Sequence, residues 1–262
     1  MLIAALPMYD WAENRAETDA RWRFLRTQLQ EKGIDAPEHL TRRNADMPPV
    51  PGGIRNHRGD LIAPDPANLP PDELNLDVLW RHPDLLLSET CWGPLRHGLR
   101  QDVSLIGQSS YDGWEGGQGP YYSSAIIARP SFGKSVAAHS NGEAIFDRNI
   151  LREKRLAYND PHSLSGFLAL AEDLRALGEE NIFSQYVSTG AHRESIRAVA
   201  AGKADVAAID CRSWGLAQKY ETAAQGLHVI GWTKRRHGIA LIGSVHLNDD
   251  AISCVAEIVG RQ

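Results

Sequence analysis

The chain has 262 residues, a hydrophobic fraction of 42% and a formal net charge of −5. That length and composition allow one large or two modest globular domains with full cores, and the acidic balance argues against nucleic acid, which calls for a basic patch or stripe. No run of eighteen apolar residues occurs, so no stretch reads as a membrane-spanning helix.

Residues 1–7, MLIAALP, have neither the basic start nor the length of a secretory signal and read as a first strand. The protein is expected in the periplasm if this sequence begins at the mature chain, and in the cytoplasm otherwise. Tyr9, Asp10 and Trp11 come next. A helix is predicted from about Asn14 to Lys32, with Trp22, Leu25 and Leu29 on one face and Gly33 as its stop. Residues 41–72 hold seven of the fourteen prolines, between Pro48 and Pro71, and read as a long surface excursion with room for a short hairpin. Arg55, His57 and Arg58 within it read as a solvated charge cluster. Asp72 to Arg81 returns to helical spacing, Leu85 to Ser88 reads as a buried strand, and Thr90 lies in the turn beyond it. Val103 to Gly107 is a further strand. The glycine-rich stretch Asp112 to Pro120 leads through Tyr121, Tyr122, Ser123 and Ser124 into a strand at Ala125 to Ala128.

Two rival chemistries are visible. The run ARPSFGKS, Ala128 to Ser135, fits a relaxed phosphate loop, and Val206 to Asp210 could pass for the acidic strand that helps to hold magnesium. Against it, Ala128 replaces the first glycine, Pro130 stiffens the loop, and no convincing helix opens at Lys134. Ser165, His192 and Asp210 could also be imagined as a nucleophilic triad, but no Gly-x-Ser-x-Gly elbow is present. The ten histidines lack the spacing of a zinc helix, and Cys91, Cys211 and Cys254 lack metal-ligand spacing and read as buried thiols. No cofactor, metal or catalytic residue is expected.

The stretch from Leu156 to Asp210 organises the rest. It reads as two successive units of strand, polar turn and helix, closed by a third strand. Asp160-Pro161 ends the first strand, because a residue before proline is pushed out of the α region. Ser163 and Ser165 then precede a helical stripe of Phe167, Leu168, Leu170, Ala171 and Leu174 that stops near Gly178. Hydroxyls and unpaired backbone N–H groups at a helix start suit an anion; the alternative is that one serine simply caps its helix. Phe183 to Val187 alternates like a strand, Ser188-Thr189-Gly190 turns, and Ile196, Val199 and Ala200 form a stripe ended by Gly202. Ala204 to Ile209 reads as a buried strand with Asp210 at its carboxyl end. Ser163, Ser165, His192 and Asp210 therefore fall beyond the carboxyl ends of strands, where open α/β sheets bind ligands.

The strings YNDPHSLSG and STGAHRESIRAVAAGKADVAAID, with PDLLLSETCWGPL and GQGPYYSSAIIARP upstream, resemble the phosphate, phosphite and phosphonate substrate-binding proteins of ABC transporters. The resemblance covers most of residues 80–215. It implies an α/β, two-lobed type 2 periplasmic-binding-protein fold, each lobe a mixed sheet flanked by helices, joined by two crossing hinge strands, with ligand held between the lobes. It also implies that Ser163, Ser165 and Gly166 hold the phosphonate group, that His192 reaches it, and that Asp210 holds the ligand's other end. Tyr9 resembles an aromatic placed over the ligand, its alternative being to pack on the lobe. Thr90, Tyr122 and Ser123 join the expected contacts. One departure is Leu164, where the family usually has a hydroxyl residue between the two serines.

Leu227 to Trp232 and Ile239 to Ser244 read as strands returning to the first lobe, and Asp249 or Asp250 starts a last helix to Val259. The first lobe is thus expected at 1–125 and 228–262 and the second at 126–227. The partners expected are a small anionic or zwitterionic ligand, since an ionised Asp210 repels a bare anion, and an ABC permease if the chain is exported. No membrane insertion is expected, and the protein is expected to be a monomer. The other readings are a cytoplasmic sensor or biosynthetic relative on the same fold and the nucleotide hydrolase.

Overall fold

The computed structural model describes residues 1–260. In chain order its principal strands are β1 (Ile3–Ala5), β2 (Leu85–Thr90), β3 (Val103–Gln108), β4 (Ser124–Ala128), β5 (Arg155–Tyr158), β6 (Gln185–Ser188), β7 (Val206–Asp210), β8 (His228–Trp232) and β9 (Ala240–Ser244). Its main helices are α1 (Arg15–Glu31), α2 (Leu76–Arg81), α3 (Ala169–Ala176), α4 (His192–Ala200), α5 (Cys211–Tyr220) and α6 (Asp249–Val259). They divide into two units, Met1–Ser109 with Ile239–Gln262, and Ser110–Gly238.

The first unit is built on a mixed sheet in the order β1-β2-β9-β3, with β1 and β2 parallel and β9 antiparallel to both its neighbours. Every residue of β2, LLLSET, is buried: its leucines enter cores on both faces of the sheet, and Ser88, Glu89 and Thr90 are buried polar residues at its carboxyl end. Trp22, Leu25 and Leu29 of α1 recur at helical spacing and pack with Val255 and Ile258 of α6 over Leu86 and Leu87. Val78, Leu79 and Trp80 of α2 cover the other face, against Leu85 and Ile242. Polar side chains fasten α2 locally, since Asn75 accepts from the Val78 amide at 3.0 Å as its cap.

The proline-rich excursion is more built than its composition suggests. Ile54–Arg55 and Leu61–Ala63 form a hairpin, and Met47, Ile54 and Ala63 join the first unit's core. Buried Asn44 donates to the Pro70 carbonyl at 2.8 Å and accepts from the Asn75 amide at 2.8 Å, while Asp65 accepts from the Val50 amide at 3.0 Å. Two side chains thus supply the backbone partners that a regular element would have supplied.

The second unit carries a six-stranded sheet in the order β6-β5-β7-β4-β8, closed at the edge by Ile145–Phe146. β5 is parallel to β6 and β7, and β4 is antiparallel to β7 and β8. Leu156, Val206, Ala208, Ile126 and Ile230 from the sheet meet Leu170 and Leu174 of α3 in one core. The sequence reading sends Leu227–Trp232 back to the first lobe and makes the strand at 125–128 a crossing. Here β4 and β8 pair with each other inside the second unit, Val229 opposite Ile127 and Trp232 opposite Ala125. The chain passes between the units before β4 and after β8, at 109–110 and 238–239, rather than at 125–126 and 227–228.

An ion cluster pins the amino-terminal end of the parallel strands. Asp205 takes Arg155 Nε at 3.0 Å and Nη2 at 2.8 Å, and Arg129 Nη2 at 3.1 Å. Arg155 holds the Asp205 carboxyl well below the usual carboxylate range. A depressed folded-state pKa contributes stability above the unfolded value of about 3.9 and loses it as pH falls through the folded value. Asp205→Asn should therefore melt lower than the parent at pH 7, with the gap closing below about pH 4. Thermal melts across pH check this, and a gap independent of pH contradicts it.

Candidate functional site

Because β5, β6 and β7 run parallel, their carboxyl ends open on one edge of the second unit's sheet. The turns after β5 and β6 and the last residue of β7 collect there. After β5, the Asp160 carboxylate accepts from the His162 amide at 2.7 Å, shaping the turn at Pro161. Ser163 then caps the helix, its Oγ accepting from the Gly166 amide at 3.1 Å. The first turn, Leu164–Leu168, is wide, a π-type turn in which the Leu168 amide reaches back to the Ser163 carbonyl at 3.0 Å before α3 continues. Such turns loosen the backbone at the start of a helix and recur at functional places. Leu164 is 1% exposed and belongs to the interior.

Ser165 is buried, and its Oγ lies 2.9 Å from His192 Nε2 on the first residue of α4. Gly166 is required by its surroundings. A Cβ there would stand 1.8 Å from Asn159 Oδ1 and 3.2 Å from His192 Cε1. Asn159 and His192 therefore close directly over the backbone of the helix start. Burial lowers the His192 pKa, and the charge of Asp210 only partly offsets it; the positive end of α4 opposes an imidazolium as well. At neutral pH the ring is uncharged and carries a single N–H. Its Nδ1 is buried without a hydrogen-bond partner, as is Asn159 Oδ1.

Asp210 is 3% exposed and caps α5, with Oδ1 accepting from the Arg212 amide at 2.8 Å and the Ser213 amide at 2.9 Å. It pairs across the antiparallel ladder with Ser124, which puts both side chains on one face. Ser124 is fully buried, and its Oγ has no partner.

The residues expected at the site thus separate. Ser163, Ser165, Gly166, His192 and Asp210 come together in the second unit. Tyr122 and Ser123 belong to the same unit: Tyr122 is buried and stacked on Tyr111 with ring centroids 5.2 Å apart, and the Ser123 amide donates to Gly116 at 2.8 Å. Tyr9 and Thr90 stand in the first unit, both buried, beyond the end of β1 and at the end of β2. Those two strand ends are tied by the Met8 amide donating to Glu89 at 3.2 Å. Sequence reasoning passed over Asn159 and Ser124. Asn159 precedes Asp-Pro and looks only like a turn former, while Ser124 can be found only through its register with Asp210.

Neither rival chemistry is assembled. Residues 130–132 make one 3-10 turn, Gly133 is extended, and no helix opens at Lys134. Lys134 instead lines an open groove of about 830 Å³ with Phe146, Arg148 and Ile230. β4, which would lead into the phosphate loop, is antiparallel to β7, whereas a phosphate loop joins a strand to a helix that cradles phosphate at its start. The imagined triad fails at its third member. A triad acid orients the histidine through Nδ1, and here Nδ1 has no partner while Asp210 caps α5.

The family model for the phosphonate ABC transporter periplasmic substrate-binding protein matches residues 100–258. The chain belongs to this family. Among solved structures it is similar to a binding protein component of an ABC phosphonate transporter from Pseudomonas aeruginosa, at 15% identity and a TM-score of 0.59, over 98% of this chain and 72% of that one. It is similar also to PhnD1 from Prochlorococcus marinus in complex with methylphosphonate, at 14% identity and a TM-score of 0.61, over 98% and 82%. A Xanthomonas citri protein bound to chloride ion aligns at 11% identity and a TM-score of 0.59, over 98% and 82%. No curated protein matches the sequence. At these identities the structural likeness establishes the fold, that of the two-lobed periplasmic binding proteins. Among the described residues no helix is long and apolar enough to cross a membrane.

The packing at Gly166 predicts a coupled pair. Gly166→Ala should cost about 1–3 kcal/mol of stability by displacing Asn159, and Asn159→Ala in the same chain should recover much of it. Denaturant unfolding of the two single variants and the double variant measures the coupling; strictly additive losses would contradict the contact.

Proposed function

We propose that the chain captures a small phosphonate-type oxyanion at the helix start Ser163–Gly166, as the solute-binding component of a phosphonate transporter. The observation that carries this is the joint placement of Ser165, Gly166 and His192 over the first turn leading into α3. A helix start offers backbone N–H groups without intrahelical acceptors and the positive end of the dipole, and Ser165 adds a hydroxyl. The methylphosphonate bound to PhnD1 supports the ligand class. An amine on the ligand would find an acceptor in Asp210, and Tyr9, Thr90, Tyr122 and Ser123 are further contacts on this reading.

The protein binds without transforming its ligand, works in the periplasm as a monomer and delivers to a membrane permease. Capture proceeds by closure at the two chain crossings, 109–110 and 238–239. Its extent is limited by the ligand's differential affinity for open and closed states.

The two serines should separate in experiment. Ser165→Ala should weaken methylphosphonate binding by about 10- to 150-fold, the worth of about 1.5–3 kcal/mol for a hydrogen bond to a charged group. Ser163→Ala should chiefly cost about 1 kcal/mol of stability through the lost cap. Calorimetric titration beside thermal melts distinguishes them. Unchanged affinity in Ser165→Ala would remove the cradle from the account.

A further inference from the structure

The polar atoms around the helix start are out of balance. Backbone N–H groups and the Ser165 hydroxyl can donate. Asn159 Oδ1, which can only accept, lies against Gly166; the Asp210 carboxylate, whose charge acts on His192, can only accept, and Ser124 Oγ, opposite Asp210 in the ladder, can do either. His192 belongs with the acceptors. For Ser165 to direct its O–H at an anion, the single N–H of the neutral ring must be on Nε2 and donate to Ser165 Oγ, 2.9 Å away. Nδ1 is then left with a lone pair. Asn159 Oδ1, His192 Nδ1 and Ser124 Oγ are all buried without a partner. A buried acceptor with no donor costs about 1–3 kcal/mol, and the two that stand against this helix start, Asn159 Oδ1 and His192 Nδ1, mark a place that lacks hydrogen rather than negative charge.

We infer that this site selects oxyanions that still carry an acidic proton, so that the ligand is the hydrogen-phosphonate monoanion, with Asn159 as the specificity-determining acceptor of its P–O–H. The inference rests on the anion-binding reading of the same helix start. On this basis the ionised oxygens of the ligand accept from the backbone and from Ser165, and its hydroxyl donates to Asn159 Oδ1. A sulfonate has no proton to give and would set an oxygen against Asn159 Oδ1. A fully ionised phosphonate meets the same repulsion. The charged and titratable groups around the helix start are His192 on α4, Asp210 at the end of β7, and the exposed Asp160 and His162 in the turn after β5.

The test is calorimetric titration of the full chain with methylphosphonate and with methanesulfonate from pH 5.5 to 8.5. Titration of protein groups moves both affinities, so the ratio of the two isolates the ligand's own proton. A phosphate monoester loses its second proton near about pH 6, and the phosphonate's own second ionisation is read by phosphorus NMR. The ratio should favour phosphonate by at least about a hundredfold below that ionisation and fall about tenfold per pH unit above it. In Asn159→Leu the ratio should shrink by about tenfold or more. A ratio that stays flat through the ligand's second ionisation, or sulfonate bound as tightly as phosphonate, overturns the selectivity while leaving capture of anions intact. Binding of neither ligand overturns both. If Asn159→Leu does not fold, the pH profile of the parent chain still decides.

Discussion

The structure depends on a helix that begins where a parallel strand ends, with nothing of its own to satisfy its first amides. Every α-helix leaves such donors, and most dispose of them in water or on a cap. Here Ser163 supplies one cap bond to Gly166, the wide first turn keeps the backbone open, and Gly166 lets Asn159 and His192 close over it. What would be a defect in an ordinary domain is a fixed positive surface made without a single formal charge.

The second unit supports that surface from the far end of its sheet. Arg155 and Arg129 converge on Asp205 at the amino-terminal ends of β5 and β7, so the parallel strands cannot slide relative to one another without breaking partly buried charge pairs. At the carboxyl ends, beside the exposed Asp160 and His162 of the turn after β5, the side chains are hydroxyls, an amide, the neutral imidazole of His192 and the carboxylate of Asp210, which caps α5. Rigidity and the proposed binding are thereby kept at opposite ends of the same strands. The neutrality of His192 follows from burial and from its position at the start of α4, and it makes the imidazole a hydrogen-bonding group rather than a counter-ion.

Much of this was legible before any coordinates. The two strand-turn-helix units from Leu156 to Asp210 stood out because their apolar positions change period from 2 to 3.6 at a polar turn, and the helices at 15–31 and 249–259 carried their own stops and caps. What stayed hidden was long-range. The strand at 228–232 has the same local pattern whichever sheet it joins, and only its pairing with β4 places it in the second unit. The proline-rich excursion looked loose because composition cannot show that Asn44 and Asp65 anchor its backbone. α5 escaped notice because Gly215 interrupts its helical pattern; the glycine is there to take the Trp114 ring, which would lie 2.3 Å from a Cβ. Asp210, read from the sequence as a ligand group, caps that helix.

The most direct measurement is a crystal structure of the chain grown with methylphosphonate. The account predicts phosphonate oxygens within hydrogen-bonding distance of Ser165 Oγ and of the backbone amides in the first turn leading into α3. A phosphonate bound away from that turn, or held by lysine and arginine side chains such as those lining the groove at Lys134, would contradict it.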